Sequence, residues 1–101
     1  MVLLEEQSMT MSDNDRSATA KVLLLNDEET TMEFVVQVLE SIFGKTREEA
    51  LRLVLDVHHN GSGECGVYTP EHASKIAERV AELARWNGYP LRCIVESSSR
   101  D

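Results

Sequence analysis

The chain has 101 residues, with 18 acidic against 10 basic side chains and a formal charge of −8. That length leaves room for one compact core, and that charge repels phosphate backbones and anionic lipid surfaces, which argues against nucleic acid and membrane as partners. No apolar run approaches the roughly 18–20 residues that cross a bilayer, and residues 1–4 lack the charged and long apolar regions of a secretory signal. A cytoplasmic protein is expected.

Residues 1–20 are rich in Ser, Thr, Asp, Asn and Met, and after the opening Val2, Leu3 and Leu4 they carry no apolar period. They read as a flexible tail. KVLLLND is a short apolar run closed by Asn and Asp, which predicts a first strand over residues 21–26, buried on both faces. Thr30, Thr31, Met32 and Glu33 form a Ser/Thr-x-x-Glu capping box, so a helix should start there. Its core stripe is Val35, Val38, Leu39 and Ile42, with Gly44 as the stop. Thr46 and Glu49 make a second capping box, leading into a stripe of Leu51, Val54, Leu55 and His58, with Gly61 beyond.

GSGECGVYT supplies glycine punctuation and a short strand over residues 65–68. Thr69, Pro70 and Glu71 then give an N-cap, a proline at the first helical position and an acid in the first turn. Ala73, Ile76, Ala77, Val80, Leu83 and Ala84 keep helical spacing as far as Asn87 and Gly88. LRCIVE after Pro90 alternates as a last strand, leaving residues 97–101 as a short C-terminal tail. The order is βααβαβ, an α+β fold in which three helices pack on one face of a small three-stranded antiparallel sheet.

Two strings imitate nucleotide sites. Residues 61–66 match a dinucleotide fingerprint, but a helix precedes them and a strand follows, the reverse of the order that would aim a helix N-terminus at a pyrophosphate. Gly44, Lys45 and Thr46 end like a P-loop, but Leu39 stands where its earlier glycine belongs. His58 and His59 are adjacent, and neighbouring helical residues point about 100° apart, so no metal shell closes around them. Cys65 and Cys93 sit in apparent strands without ligand spacing and read as buried, reduced thiols. No nucleophile has an activating neighbour, so neither catalysis nor a cofactor is expected. Packing leaves one segment unexplained, the polar junction from Asn26 to Thr31 beside Met32. Taken alone it reads as a capped loop.

KVLLLND, T-x-MEFVV-x-VLE-x-IF, EEAL-x-LVLDVHHNG, ECGVYT and NGYPLRC follow one another in an order and at spacings that resemble the ClpS family, over residues 21–96. The resemblance implies a monomeric adaptor that binds N-degron peptides beginning Phe, Tyr, Trp or Leu and delivers them to a ClpA-type unfoldase of the Clp protease. It implies amine binding by Asn26, Asp27 and His58, with Thr30 at the pocket edge. It also implies an apolar pocket of Met32, Val35, Val54, Val57 and Leu91, and docking on the unfoldase's N-terminal domain through Glu71 and Lys75. Four positions depart from the family's usual residues: Glu29 stands for an aromatic residue, Thr31 for a proline, Val54 for a methionine and Ile76 for a lysine. A module of the same fold that restrains the unfoldase without reading N-termini is the alternative, since a changed first helical turn could spoil the pocket.

Overall fold

The computed structural model describes residues 18–99. Its elements run β1 (Ala18–Leu25), α1 (Met32–Ser41), α2 (Arg47–Asn60), β2 (Ser62–Tyr68), α3 (Pro70–Trp86) and β3 (Cys93–Ser99). β1 is the middle strand, paired antiparallel with β2 on one side and β3 on the other. This is the expected βααβαβ order.

β1 departs from the expectation of burial on both faces. Ala20, Val22 and Leu24 are fully buried while Lys21, Leu23 and Leu25 between them are half-buried, because the helices cover one face of the sheet and leave the other open. β1 also begins at Ala18 rather than Lys21, since Ala18, Thr19 and Ala20 pair with Ser99, Ser98 and Ser97 of β3. Three residues assigned to the tail, and three assigned to the C-terminal tail, are therefore strand. Polar residues can join a ladder wherever the neighbouring backbone offers partners, a non-local signal that composition does not carry. Residues 1–17, the rest of the expected N-terminal tail, lie outside the described residues.

α1 is capped one residue later than expected. Thr31, not Thr30, accepts from the Phe34 amide at 3.2 Å. The α2 box forms as read, with the Thr46 hydroxyl accepting from the Glu49 amide at 3.1 Å and the Glu49 carboxylate accepting from the Thr46 amide at 3.0 Å. That second bond holds the Glu49 carboxyl below its usual range. α3 starts on the Thr69 cap with Pro70 at its first position, as read.

The buried face of α2 is Ala50, Val54 and Val57, whereas Leu51 and Leu55 are exposed. The expected stripe is thus split: Val54 joins Ala50 and Val57 on the core face, while Leu51, Leu55 and His58 face outward. The expected core stripe of α1 is wider than read, since Phe34 and Val36 are buried with Val35, Val38 and Leu39. β2 absorbs the glycines read as a turn. Its register with β1 slips between Val22 and Leu23, leaving Cys65 as the extra residue of a bulge. At Gly63 a Cβ would lie 2.7 Å from the Val57 side chain, so α2 rests on the strand where a side chain is missing. β3 begins at Cys93 rather than Leu91, although the Leu25 amide still donates to the Arg92 carbonyl at 3.0 Å.

Leu24, Phe34, Val38, Leu39, Val54 and Val80 centre a core shared by the helices and the sheet. Each such side chain contributes about 1.5–3 kcal/mol on burial. Both cysteines are free, and burial pushes the Cys65 thiol up to about 12 and the Cys93 thiol up to about 11, which leaves them un-ionised near neutrality.

Candidate functional site

β1 ends at Leu25, and the chain must turn to reach the first residue of α1. The Asn26 amide donates to the Gly61 carbonyl at 2.9 Å, which ties this turn to the C-terminal cap of α2. Gly61 holds φ 89°, a left-handed conformation that L side chains seldom adopt, so the helix can stop there and present that carbonyl. Two elements distant in sequence are joined at one corner.

Asp27 organises the turn. Its Oδ2 accepts from the Thr30 hydroxyl at 2.7 Å and from the Glu29 amide at 3.1 Å, while its carbonyl accepts from the Thr30 amide at 3.3 Å. Both side-chain bonds fall on Oδ2, so Oδ1 is the oxygen left for an incoming donor. Thr30 therefore aims the carboxylate instead of capping α1. The Asn26 side-chain amide donates weakly to Glu28, at 3.5 Å, leaving its carbonyl oxygen as an acceptor. His58, in the last turn of α2, adds an imidazole ring, exposed and 5.6 Å from that of His59.

Beneath these acceptors lies a cavity of about 260 Å³. Its walls bring together every residue expected for amine binding and for the pocket: Asn26, Asp27, Thr30 and His58 on the polar side, and Met32, Val35, Val54, Val57 and Leu91 on the apolar side. Val35, Val54, Val57 and Leu91 are at most 9% exposed and belong equally to the core, whereas Met32, at the first position of α1, is 55% exposed and forms a lip. Sequence reasoning missed Glu28, Leu24, Leu25 and Leu55, which also line the cavity. Leu55 could have been found, because it shares a helical face with Leu51 and His58. Leu24 and Leu25 could not, since nothing local in a strand marks the residues at its closed end.

Glu71 and Lys75 are exposed one turn apart at the start of α3 and do not line the cavity. Ile76 beside them is buried, at 7% exposed, so the position where a lysine would be expected faces the core. Among the described residues no group of three His, Cys, Asp or Glu is placed to hold a metal ion, and no helix is long and apolar enough to cross a membrane.

Polar groups around one mouth and an apolar floor beneath them mark a candidate pocket on an open-faced α+β sandwich. The pattern of the ATP-dependent Clp protease adaptor protein ClpS matches residues 15–94. A Gluconobacter oxydans protein named ATP-dependent Clp protease adapter protein ClpS is 54% identical over 76 residues, covering 75% of this chain and 64% of that protein. A Phenylobacterium zucineum protein of the same name is 47% identical over 89 residues, covering 88% of this chain and 82% of its own length. The solved structure of Agrobacterium tumefaciens ClpS2 bound to L-phenylalaninamide is similar with a TM-score of 0.79 and 31% identity, covering 82% of this chain and all of that one. The chain belongs to the ClpS family of Clp protease adaptors.

Proposed function

We propose that this protein captures substrates by their first residue, reading Phe, Tyr, Trp or Leu with a free α-amino group, and hands them to a ClpA-type unfoldase of the Clp protease. The observation that carries the reading is that Asn26, Asp27 and His58 line one cavity together with the apolar residues Met32, Val35, Val54, Val57 and Leu91. L-phenylalaninamide, bound by the Agrobacterium relative, has the same chemistry: an α-amine, an aromatic side chain and an amide where the next peptide bond would begin.

A free α-amine has a reference pKa of about 7.7–8.0 and is largely an ammonium with three donors near neutral pH. Each hydrogen bond it makes to an ionised acceptor contributes about 1.5–3 kcal/mol. An internal peptide offers one neutral donor to the same acceptors and leaves the rest unpaired. Burial of one large side chain adds about 1.5–3 kcal/mol. Asp27, Asn26 and His58 bind the amine, directly or through water, Thr30 aims Asp27, and Met32, Val35, Val54, Val57 and Leu91 enclose the side chain.

In this reading the protein is a cytoplasmic, monomeric binding protein without a cofactor and not an enzyme. Glu71 and Lys75 meet the N-terminal domain of the unfoldase on a surface apart from the pocket. The rival reading, a module that restrains the unfoldase without reading N-termini, depends on a damaged first turn of α1. Thr31 argues against it: φ is −73°, within the range a proline would impose, and its hydroxyl caps the helix.

Titration with peptides beginning Phe, Leu and acetyl-Phe tests the proposal. Phe and Leu starts should bind and acetyl-Phe should not. Equal binding of blocked and free Phe would overturn it.

A further inference from the structure

The mouth of the cavity has two unlike sides. Asn26, Asp27, Glu28, Thr30 and His58 are polar, while Met32 and Leu55 form an apolar lip, 55% and 53% exposed. Leu55 is continued by Leu51, four residues earlier on α2 and 40% exposed. Residues four apart share a helix face, and these two lie about 6 Å apart along the axis. Of the seven large apolar side chains exposed among the described residues, Met32, Leu51 and Leu55 gather at or beside this mouth, while Trp86, Val67, Ile94 and Val95 lie elsewhere. Core packing does not account for an outward apolar stripe that starts inside a binding cavity.

We propose that this ledge is a second subsite, which takes an apolar side chain at the third position of the bound chain end; the inference rests on the N-terminal reading above. Substituents of an sp3 Cα diverge at about 110°. With the amine at Asp27 and His58 and the side chain between Val54 and Val57, the first carbonyl leaves away from the acceptors. His58, Leu55 and Leu51 follow each other along α2 toward its N-terminus, so the departing chain runs over Leu55 toward Leu51. In an extended peptide successive side chains alternate, and residues one and three lie about 6.6 Å apart on the same side. The first side chain points into the protein and the second away from it. The third returns to the surface at a spacing that matches the step from Leu55 to Leu51. Specificity is thus set by the first residue and tuned by the third.

The test uses the full chain and three labelled peptides identical after the third residue, beginning Phe-Ser-Ser, Phe-Ser-Leu and Phe-Leu-Ser. Leucine at position three should tighten binding about threefold to tenfold, as one face of an apolar side chain leaves water, and leucine at position two by less than about twofold. Leu51→Gln, at an exposed helical position where glutamine keeps good propensity, should bring the ratio between Phe-Ser-Leu and Phe-Ser-Ser to about one. Equal affinities of these two peptides for the natural protein, the same gain at positions two and three, or a ratio that survives both Leu51→Gln and Leu55→Gln each overturn the ledge. In any of those outcomes, continued rejection of acetyl-Phe leaves the N-terminal reading standing. Loss of that rejection removes both.

Discussion

Two concavities among the described residues contrast, and the one between α1 and α3 is the less informative. That groove is lined by Gln37, Ser41, Ile42, Arg79, Glu82, Leu83 and Trp86 and lies apart from the cavity at the end of β1. Its polar groups stand on helical surfaces that any solvated helix pair presents, and Trp86 on its rim is 81% exposed. The cavity at the end of β1 has a floor of Val54, Val57 and Leu91, each at most 7% exposed, and a rim where Asp27 is held by two donors on one oxygen. What separates a candidate site from a dent here is an apolar floor combined with a carboxylate, Asp27, whose orientation is already held.

The largest effect should come from removing that fixed acceptor. Asp27→Ala is expected to weaken a Phe-starting peptide by about 1.5–3 kcal/mol, the range for hydrogen bonds to charged groups, with the fold retained and the thermal transition lowered only by loss of the two hydrogen bonds that the turn makes to Oδ2. Calorimetric titration measures it, and unaltered affinity would move the amine away from Asp27. Next is the lip. Met32 stands half-exposed over the mouth, and its bulk should exclude side chains branched at Cβ. Met32→Ala should let Val and Ile starts bind about tenfold better, about 1.4 kcal/mol, while Phe starts lose apolar contact. Continued refusal of Val and Ile would assign the exclusion to Val54 or Leu55 instead.

The two concavities also differ in how far the sequence disclosed them. The order of elements was legible because each helix carries its own start signal, as at Thr46, Glu49, Thr69 and Pro70, and helical periods are local. The site was legible through a family likeness over residues 21–96, not through physics: Asn26, Asp27 and Thr30 alone read as an ordinary turn. What stayed hidden is non-local. Thr30 and Thr31 are equally good caps on paper, and only the bond from Thr30 to Asp27 decides that Thr31 caps α1. The two stripes of α2 separate only once β2 brings Gly63 under Val57. The pairing of Ala18, Thr19 and Ala20 depends on β3, nearly eighty residues away in the chain. The groove beside Trp86 had no signature, as expected where residues of two helices meet without a shared chemistry.

A smaller effect is expected from the cavity wall. Val54, 7% exposed, is shorter than a methionine and stiff at its Cβ, so the cavity is wider beside it. A short ligand forfeits dispersion contacts across that gap, whereas a flat ring fills it. Phe, Tyr and Trp starts should therefore bind more tightly than Leu by about 1 kcal/mol, and Val54→Met should narrow the difference by improving Leu. Equal affinity of Phe and Leu starts for the natural protein would show that Leu55 or Met32 already closes the space.

The smallest effect is expected at the groove, and it is the sharpest test of the contrast. Trp86→Ala changes a side chain that is 81% exposed, so stability should stay within about 0.5 kcal/mol. Peptide affinity should hold to the same margin. One physical route could carry a change from Trp86 to the pocket. The chain passes from Trp86 through Asn87 and Gly88 to Tyr89, whose ring lies 4.7 Å from that of Phe34 and whose hydroxyl accepts from Thr31 at 3.4 Å. Thr31 caps α1 directly before Met32, and Leu91 follows Tyr89 by two residues. The Tyr89 amide is held independently by the Ala84 carbonyl at 2.9 Å, and the Asn87 amide by Leu83 and Ala84 at 3.2 Å each. Those backbone bonds anchor the turn whether or not the indole is present, and a neutral hydrogen bond at 3.4 Å is too long to transmit much strain. A loss of affinity beyond about twofold in Trp86→Ala that Tyr89→Phe reproduces would show that this turn couples the groove to the lip, and the separation drawn between the two concavities would fail.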